Sequence, residues 1–231
     1  MKAPFCSSCT NHNEFFCGLK SNDRDVFSVN KKFHFYKKGE VIFAEGKRAR
    51  GLFCIYKGKA KLSKTGAEGK DVIIRLINKG EVLGYRALLA DEVYRASATA
   101  LEDSYICKIS KKVFFDQLSS NQLISANIIK ILTHDLAKAE DNVIHHSQAS
   151  VRQRLARVLL LLKSKYGLEK DGRTLTVTLT RREISEMTGT TTESVIRALA
   201  AFDKDGILNL HKKKIELVDL SKLEMLADLQ E

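Results

Sequence analysis

The chain of 231 residues lacks the sequence features that mark membrane proteins, secreted proteins and most enzymes. No run approaches the apolar length that crosses a bilayer, and the first residues, Met1 to Cys6, do not form the apolar stretch of a signal peptide. No nucleophile with a base, and no pair of carboxylates, stands out as a catalytic arrangement. We therefore expect a cytoplasmic protein that does not bind a membrane and is not an enzyme.

Acidic residues are scarce relative to basic ones. The chain has 39 Lys and Arg against 28 Asp and Glu, a formal net charge of +11 that favours polyanionic partners. The excess is not concentrated near the C-terminus, because residues 151–231 contain 15 basic and 12 acidic side chains. Phosphate contacts in that part must therefore come from local clusters such as Arg181-Arg182 and Lys212-Lys213-Lys214.

Two short helices joined by a tight turn are predicted from residue 180 onward. Thr180 with Glu183, and Thr190 with Glu193, each have the Thr-x-x-Glu spacing of a capping box, in which the two side chains satisfy free amide protons at a helix start. Gly189 between them supplies the positive φ that a sharp turn between helices needs.

A small β-hairpin is predicted directly after the second helix. Asp205-Gly206 stops the helix, and residues 207–210 and 214–218 alternate as two strands turned at Lys212-Lys213. Two helices followed by such a hairpin make a winged helix-turn-helix.

The outward face of the second predicted helix has side chains that can read base edges. Arg197 can donate two hydrogen bonds to guanine O6 and N7, and Glu193, one turn earlier, can accept from cytosine N4. Ile196 suits a thymine methyl group or else reaches the core, and Glu193 with Arg197 could form an ordinary i,i+4 ion pair. The candidate DNA-binding residues are Arg181, Arg182, Thr190, Thr191, Thr192, Glu193, Ile196, Arg197, Lys212 and Lys213.

Residues 33–110 are dense in short apolar or alternating segments separated by glycine, such as Leu52 to Tyr56 and Val72 to Ile77. This spacing predicts a compact antiparallel β-roll or jelly roll. The predicted fold class is α+β, with an N-terminal cysteine segment and β-roll sensor domain over 1–112, a dimerisation helix over 113–149 and the winged helix-turn-helix domain over 150–231.

The predicted long helix carries a narrow apolar stripe with alternating spacings of three and four residues. Such a heptad seam favours a two-fold coiled coil with a second copy of the chain over a helix lying on its own barrel. A dimer would place two recognition helices one DNA turn apart on a palindromic site. The seam residues are Ile129, Leu132, Leu136, Ala139 and Val143.

A β-roll, a long helix and a winged helix-turn-helix in this order resemble the CRP/FNR family of bacterial transcription regulators over nearly the whole chain. The strongest part is the stretch from Leu179 to Arg197. In the family, the recognition-helix Glu and the Arg four residues later read the core of the half-site, and Glu193 and Arg197 match both. Ile196 departs from the small or hydroxylated residue of the best-known members, so the resemblance implies a TGA-like core and leaves the rest of the operator open.

The resemblance implies a homodimeric, sequence-specific DNA-binding regulator. An effector or redox signal at the N-terminal domain would control it allosterically, and RNA polymerase would be a further partner. The alternative function is a β-roll ligand-binding protein that acts through a protein partner without DNA.

The cyclic-AMP-binding branch of the family holds the nucleotide with a Gly-Glu-Leu segment and an Arg eleven residues after that Gly. The corresponding residues here are Gly84, Tyr85, Arg86 and Arg95. Tyr85 replaces the Glu that would accept from the ribose hydroxyl. An unpaired ribose hydroxyl would weaken nucleotide binding by about 1 to 3 kcal/mol, so the resemblance disfavours cyclic AMP. Another anion could use Arg95, which is otherwise an ordinary surface arginine.

The oxygen-sensing branch binds a [4Fe-4S] cluster through three N-terminal cysteines and one on a late strand of the β-roll. Cys6, Cys9, Cys17 and Cys107 resemble that arrangement, with two extra residues before the third cysteine. Two other interpretations stay open. Cys6, Cys9, His12 and Cys17 have zinc-like spacing, and all the thiols could be reduced and unliganded, with Cys107 and Cys54 buried as small apolar residues.

Overall fold

The fold is described from a computed structural model for residues 5–7, 9, 14–66 and 69–227, without the side chains of residues 144–148. The chain divides into two compact units, Met1–Thr65 with Ile74–Ala137 and Gly66–Ile73 with Lys138–Glu231. None of the helices in these described ranges is long and apolar enough to cross a membrane.

Two four-stranded sheets form the β-roll. Their strand orders are β1-β8-β3-β6 and β2-β7-β4-β5, and each pairing with a described register is antiparallel. The predicted α+β class with an N-terminal β-roll is thereby confirmed. The strands are β1 (Lys31–Tyr36), β2 (Val41–Phe43), β3 (Gly51–Lys57), β4 (Ala60–Thr65), β5 (Asp71–Ile77), β6 (Val82–Leu83), β7 (Ser97–Ala100) and β8 (Ser104–Ser110).

The N-terminal segment belongs to the core of the first unit. Phe15, in the short 3-10 helix Glu14–Phe16, is fully buried, with its ring 5.9 Å from that of Phe27 and 6.3 Å from that of Phe114. Phe27 lies on α1 (Ser21–Asn30), and Phe114 lies on α3 (Lys111–Ser120). Burial of each ring contributes about 1.5–3 kcal/mol, so this segment is held by the fold.

The helical segment after the β-roll is two helices, where the sequence predicted one dimerisation helix over 113–149. After α3, the chain becomes extended at Asn121, with φ −125° and ψ 103°, and α4 then runs over Gln122–Gln148. The Asn121 side chain accepts from the amide of Leu123 at 3.1 Å, which is the local hydrogen bond that asparagine offers at a helix start. Only α4 carries the apolar seam.

The second unit contains a winged helix-turn-helix. Helix α5 (Val151–Tyr166) precedes α6 (Arg181–Thr188) and α7 (Thr192–Lys204), and the wing is the hairpin of β9 (Leu208–His211) and β10 (Lys214–Leu217). The preceding segment extends the wing, because the Leu175 amide donates to the Ile215 carbonyl at 3.0 Å. Helix α8 (Leu220–Ala227) follows the wing. The order of elements in the predicted motif is confirmed.

One of the two predicted capping boxes is present and the other is wrong. Thr180 and Glu183 form the complete reciprocal pair at the start of α6. At α7, the N-cap is Thr191, whose hydroxyl accepts from the Ser194 amide at 3.2 Å, so the cap lies one residue after Thr190 and the predicted box of Thr190 with Glu193 does not form. A run of three threonines offers several similar caps, and the geometry of the turn after Gly189 selects the second.

Candidate nucleic-acid interface and sensor sites

Contacts at the turn fix α6 against α7. Gly189 adopts φ 61° and ψ 40°, the left-handed conformation that ends α6, and the Thr190 amide then donates to the Ser185 carbonyl at 3.2 Å. The hydroxyls of Ser185 and Thr192 are 3.2 Å apart and join the two helices directly. Below them, α7 buries Val195, Ala198, Leu199 and Phe202. The exposed face of α7 is therefore presented on a rigid support.

That face carries the predicted base-reading side chains. Glu193 and Arg197 are exposed, and within the described contacts they form no ion pair with each other. The Arg197 Nη2 atom instead lies 3.4 Å from the Ser194 hydroxyl. A hydrogen bond from its own amide, then one from Thr191, and the nearby Arg197 charge lower the pKa of Glu193, so the carboxylate is charged and able to accept. Ile196 is 50% exposed, which argues against the core alternative.

The predicted phosphate-contacting residues flank this face. Arg181, the first residue of α6, has a buried Nη1 atom without a hydrogen-bond partner among the described residues, and its Nη2 atom is 3.5 Å from the Lys212 carbonyl. Arg182 is 75% exposed and pairs with Glu186 at 3.0 Å. Lys212 and Lys213 are exposed at the tip of the wing, where Lys212 has φ 55°. Cations at a helix N-terminus and on a wing suit phosphate oxygens.

Most of the seam of α4 is exposed, whereas three isoleucines on another face of the helix are buried in the core of the first unit. Ile129, Leu136 and Val143 are 63%, 61% and 70% exposed, Ala139 is also exposed, and Leu132 is partly buried. Ile124, Ile128 and Ile131 occupy the buried face. The helix therefore lies on its own β-roll and still presents an unpaired apolar stripe.

The four candidate effector-binding residues do not surround one space. Tyr85, the first residue of α2 (Tyr85–Leu89), is buried and its hydroxyl bonds to Asp135 of α4, whereas Arg86 is exposed. Gly84 caps this helix with φ 86°. The Arg95 side chain is 71% exposed and bonds both oxygens of Glu92, at 2.8 and 3.0 Å. Whether any of them binds an effector stays a prediction.

Three of the four candidate cluster ligands line one cavity, together with Cys54. Cys54 and Cys107 face each other across β3 and β8, and Cys6 and Cys9 also line the cavity. The Lys31 ammonium donates to the Cys6 sulfur at 3.3 Å. Burial raises the pKa of the Cys107 thiol to about 11, and burial raises that of Cys54 well above its ordinary value. Both are therefore neutral thiols near pH 7.

This arrangement does not fit a four-iron cluster. The cavity has a volume of about 20 Å³, the space of roughly one water molecule, and Cys17 is exposed and is not one of its lining residues. Within the ranges described, no group of three or more His, Cys, Asp or Glu side chains is placed to hold a metal ion. His12, the fourth zinc ligand in the alternative interpretation, lies outside the described residues. The cluster, zinc and metal-free interpretations all stay predictions.

The structure adds residues that the sequence did not single out. The amide of Asn127 on α4 donates to the carbonyls of Phe15 and Cys17, at 3.1 and 2.9 Å, and so ties the cysteine segment to the long helix. Arg75 and Asp135 bond to Tyr85, and Cys54 joins the cysteine cavity. The sequence offers two signals, an asparagine between apolar helix positions and an arginine inside an apolar strand. Neither signal identifies the residue to which the side chain bonds.

Comparison with known proteins identifies both units. Residues 33–121 match the cyclic nucleotide-binding domain, and residues 153–226 match the Crp-like helix-turn-helix domain. The chain is 26% identical over 192 residues to electron transport regulator A of Shewanella oneidensis, covering 83% of this chain and 76% of that protein. It is 26% identical over 212 residues to the cyclic AMP receptor protein of Thermus thermophilus, covering 92% and 95%.

A solved structure shows the same fold. FixK2 from Bradyrhizobium japonicum superposes with a TM-score of 0.78 at 21% identity, covering 87% of this chain and 99% of that one. With both domains matched in the expected order, and with full-length regulators as relatives, the chain belongs to the CRP/FNR family of DNA-binding transcription regulators.

Proposed function

We propose that this regulator binds a palindromic operator as a homodimer and reads a TGA-like core in each half-site with Glu193 and Arg197. The observation that carries the proposal is the exposed, mutually unpaired state of these two side chains on a helix whose other face is buried. An arginine that is not held by a protein carboxylate is available to guanine O6 and N7, and a charged Glu193 is available to cytosine N4.

The neighbouring residues supply the remaining contacts. Ile196 contacts a thymine methyl group, because an apolar side chain that is half exposed beside Arg197 can bury its surface against DNA. Arg181 and Arg182 at the start of α6, and Lys212 and Lys213 on the wing, contact phosphates and fix the position of α7 in the major groove. Thr190, Thr191 and Thr192 lie at the N-terminal end of α7 and add contacts there.

The dimer forms along α4. Its seam residues are exposed at the spacing of a two-stranded coiled coil, and pairing two such helices would remove the apolar stripe from water. Regulators of this family bind DNA as dimers, and a two-fold axis along α4 accounts for a palindromic target. We further propose that the DNA-bound dimer contacts RNA polymerase in the cytoplasm.

The signal arises in the first unit. A diffusible effector or a redox change there alters the dimer helix, and it does so only to the extent that it stabilises one of the two states more than the other. Asn127 provides one link, because it bonds the carbonyls beside the cysteine segment to α4. The electron transport regulator of Shewanella oneidensis, among the relatives, is consistent with a redox signal.

Selection from random DNA tests the proposal. The full-length protein, purified and assayed under anaerobic and under aerobic conditions, should enrich a palindrome whose half-sites contain TGA and lie about one helical turn apart. Glu193→Ala, with the same fold by circular dichroism, should lose preference at one G·C pair of each half-site only. Enrichment of no palindrome under either condition would reject the proposal and favour action through a protein partner.

A further inference from the structure

Four cysteines converge on one small cavity of the first unit. Cys54 and Cys107 reach it from β3 and β8, and Cys6 and Cys9 reach it from the N-terminal segment. The cavity has a volume of about 20 Å³, which is enough for one molecule little larger than water. The four thiols have the same chemistry, so their surroundings decide how each of them reacts.

The Cys6 sulfur lies beside a cation. The Lys31 ammonium at the start of β1 donates to this sulfur at 3.3 Å, and Arg24 of α1 also lines the cavity. The Cys6 amide donates to the Ser28 hydroxyl at 2.6 Å and so holds the residue in place. Negative charge that develops on this sulfur is therefore stabilised, which is the condition for a nucleophilic thiol.

The two thiols on the strands are placed differently. The Ile55 amide donates to the Glu81 carbonyl, and the Ile55 carbonyl accepts from the Gly80 amide, both on the side of β6. The neighbouring Cys54 therefore directs its backbone groups to Cys107 on the other side. In such a hydrogen-bonded pair the Cα atoms are about 5.5 Å apart and the side chains are farther apart than in the alternate pairs. A disulfide needs Cβ atoms about 3.8 Å apart, so these two thiols do not bridge unless the strands move.

Cys9 is placed to bond with Cys6. The Cys9 amide donates to the Cys6 carbonyl at 3.4 Å, which closes a turn between the two residues. The first and last Cα atoms of such a turn are less than about 7 Å apart, and a disulfide spans about 4.4–6.8 Å between Cα atoms. Burial raises the pKa of the Cys107 thiol to about 11 and that of Cys54 well above its ordinary value, so neither competes as a thiolate near pH 7.

We propose that, in the metal-free protein, Cys6 is a peroxide-reactive thiol and Cys9 is its resolving partner. The Cys6 sulfur attacks one oxygen of hydrogen peroxide, so that an S–O bond forms as the O–O bond breaks, and the second oxygen takes up the thiol proton and leaves as water. The Cys9 sulfur then attacks the Cys6 sulfur, an S–S bond forms, and the sulfenic oxygen leaves as a second water. Two thiols lose two electrons in total, and the peroxide is reduced to water.

The site gives a redox signal a chemical entry point, and this part of the inference rests on the proposed function. The segment that carries both thiols is bonded to α4, because Asn127 donates to the carbonyls of Phe15 and Cys17. A disulfide fixes the two sulfurs about 2 Å apart, so the segment has to adjust when the bond forms. The thiol chemistry itself does not depend on DNA binding.

Oxidation of the reduced, metal-free, full-length protein tests the chemistry. An equimolar amount of hydrogen peroxide is added, the protein is unfolded, and the remaining thiols are blocked with iodoacetamide. Cleavage after Glu14 separates Cys17 from the two cysteines before it, so mass spectrometry identifies the bonded pair. We expect a disulfide between Cys6 and Cys9, with the blocking group on the other three cysteines.

Three results would overturn the assignment. They are a disulfide that includes Cys54 or Cys107, oxidation of Cys17 before Cys6, and the absence of any oxidised cysteine. Cys17 is the informative competitor, because it is exposed and no described contact places a cation beside its sulfur. Iodoacetamide on the folded protein ranks the thiols by exposure, whereas the smaller peroxide ranks them by the charge beside the sulfur.

Cysteine variants separate the two roles. Cys9→Ser should stop the reaction at the sulfenic acid of Cys6, which dimedone traps with a defined increase in mass. Cys6→Ser should give neither the trapped acid nor the disulfide. A Cys9→Ser protein without the trapped acid, or a Cys6→Ser protein that traps it on Cys9, would reject the assigned order.

A matched pair of lysine variants tests the cation. Lys31→Met removes the ammonium and keeps the length of the side chain, and it should slow the oxidation of Cys6 about tenfold, the weak end of what a hydrogen bond to a charged group contributes. Lys32→Met removes the same charge from the next, exposed residue of β1 and should keep the original rate. Equal rates for the two variants would remove the role of Lys31.

Operator binding decides the regulatory part. Reduced and peroxide-treated protein should differ about tenfold in affinity for the selected operator, within the usual range of coupling between sites, and Cys6→Ser should abolish the difference. Equal affinities with the disulfide present would reject the link to α4 and leave the thiol chemistry standing. If neither form binds an operator, the proposed function fails, and mass spectrometry still decides the thiol chemistry.

Discussion

Arg197 illustrates how a single side chain is made available for recognition. Its neighbours Val195, Ala198 and Leu199 are buried, so the helix cannot rotate to hide it, and among the described contacts Glu193 one turn away forms no ion pair with it. The weak 3.4 Å contact with the Ser194 hydroxyl is easily exchanged for a base edge, because it involves a neutral, flexible acceptor. The cost of freeing the guanidinium for DNA is therefore small.

Arg197→Ala should weaken binding to the selected operator by about 1–3 kcal/mol, because a bidentate contact with guanine is lost. Non-specific DNA should be bound as before, and the free energy of unfolding should change by less than about 0.5 kcal/mol, because the side chain is exposed. Fluorescence anisotropy with specific and scrambled duplexes measures both affinities. Lys213→Ala on the wing is the control: it should weaken both affinities together and reduce the salt slope by about one. Equal losses on both duplexes for Arg197→Ala would remove its base-reading role.

At the scale of elements, α4 combines two apolar surfaces. One, containing Ile124, Ile128 and Ile131, is buried in the first unit, and the other carries the exposed seam. A surface helix of a monomer would not gain from three large side chains that are each more than half exposed at heptad spacing. The second surface is therefore the contact that we propose for the dimer.

Leu136→Glu should dissociate the dimer. Each buried leucine contributes about 1.5–3 kcal/mol, and two copies meet at a two-fold seam, so the dissociation constant should rise by a factor of more than about 100. Analytical ultracentrifugation measures this shift, and operator affinity should fall with it. Ala137→Glu introduces the same charge at the adjacent exposed position off the seam, and should leave the dimer intact. A dimeric Leu136→Glu variant, or a monomeric Ala137→Glu variant, would place the interface elsewhere.

How much the sequence could predict depends on the distance between partners along the chain. The winged helix-turn-helix was predictable because its signals are local. The capping box joins Thr180 and Glu183, which are three positions apart, and Gly189 ends the helix through its own backbone conformation. Even so, the choice between Thr190 and Thr191 as N-cap required the turn geometry. Arg75 and Asp135 are 60 residues apart, and nothing near either one identifies the other. The break at Asn121 was missed because both flanking segments have helical periodicity.

For the whole molecule, α4 is the element that continues from the first unit into the second, and it is the route that we propose for the signal. Its first part, up to Ala137, belongs to the first unit, and the rest belongs to the second. Two polar contacts hold that first part: the Asn127 amide donates to the carbonyls of Phe15 and Cys17, and the Asp135 carboxylate accepts from the Tyr85 hydroxyl. A chemical change in the cysteine segment can therefore bias α4 without a pocket for a large ligand.

The reactivity of the five cysteines tests this view of the sensor. Without metal, Cys17 should be alkylated by iodoacetamide first at pH 7.5, because it is exposed, whereas Cys54 and Cys107 should react last. The pKa of Cys107, raised to about 11, leaves very little thiolate at that pH, and the reaction should accelerate as the pH rises toward this value. Mass spectrometry of timed samples gives the order.

Anaerobic iron–sulfur reconstitution then discriminates between the interpretations of these thiols. A cluster held by Cys6, Cys9, Cys17 and Cys107 would bring about four irons per chain, give a brown protein and protect all four thiols while the shape of the cavity changes. If the other three thiols are protected and Cys17 stays reactive, Cys17 is excluded as a ligand. If the protein is colourless and its thiols react in the metal-free order, the thiols themselves are the redox-sensitive groups. Rapid alkylation of Cys107 in the folded, metal-free protein would contradict its burial beside Cys54 in the cavity.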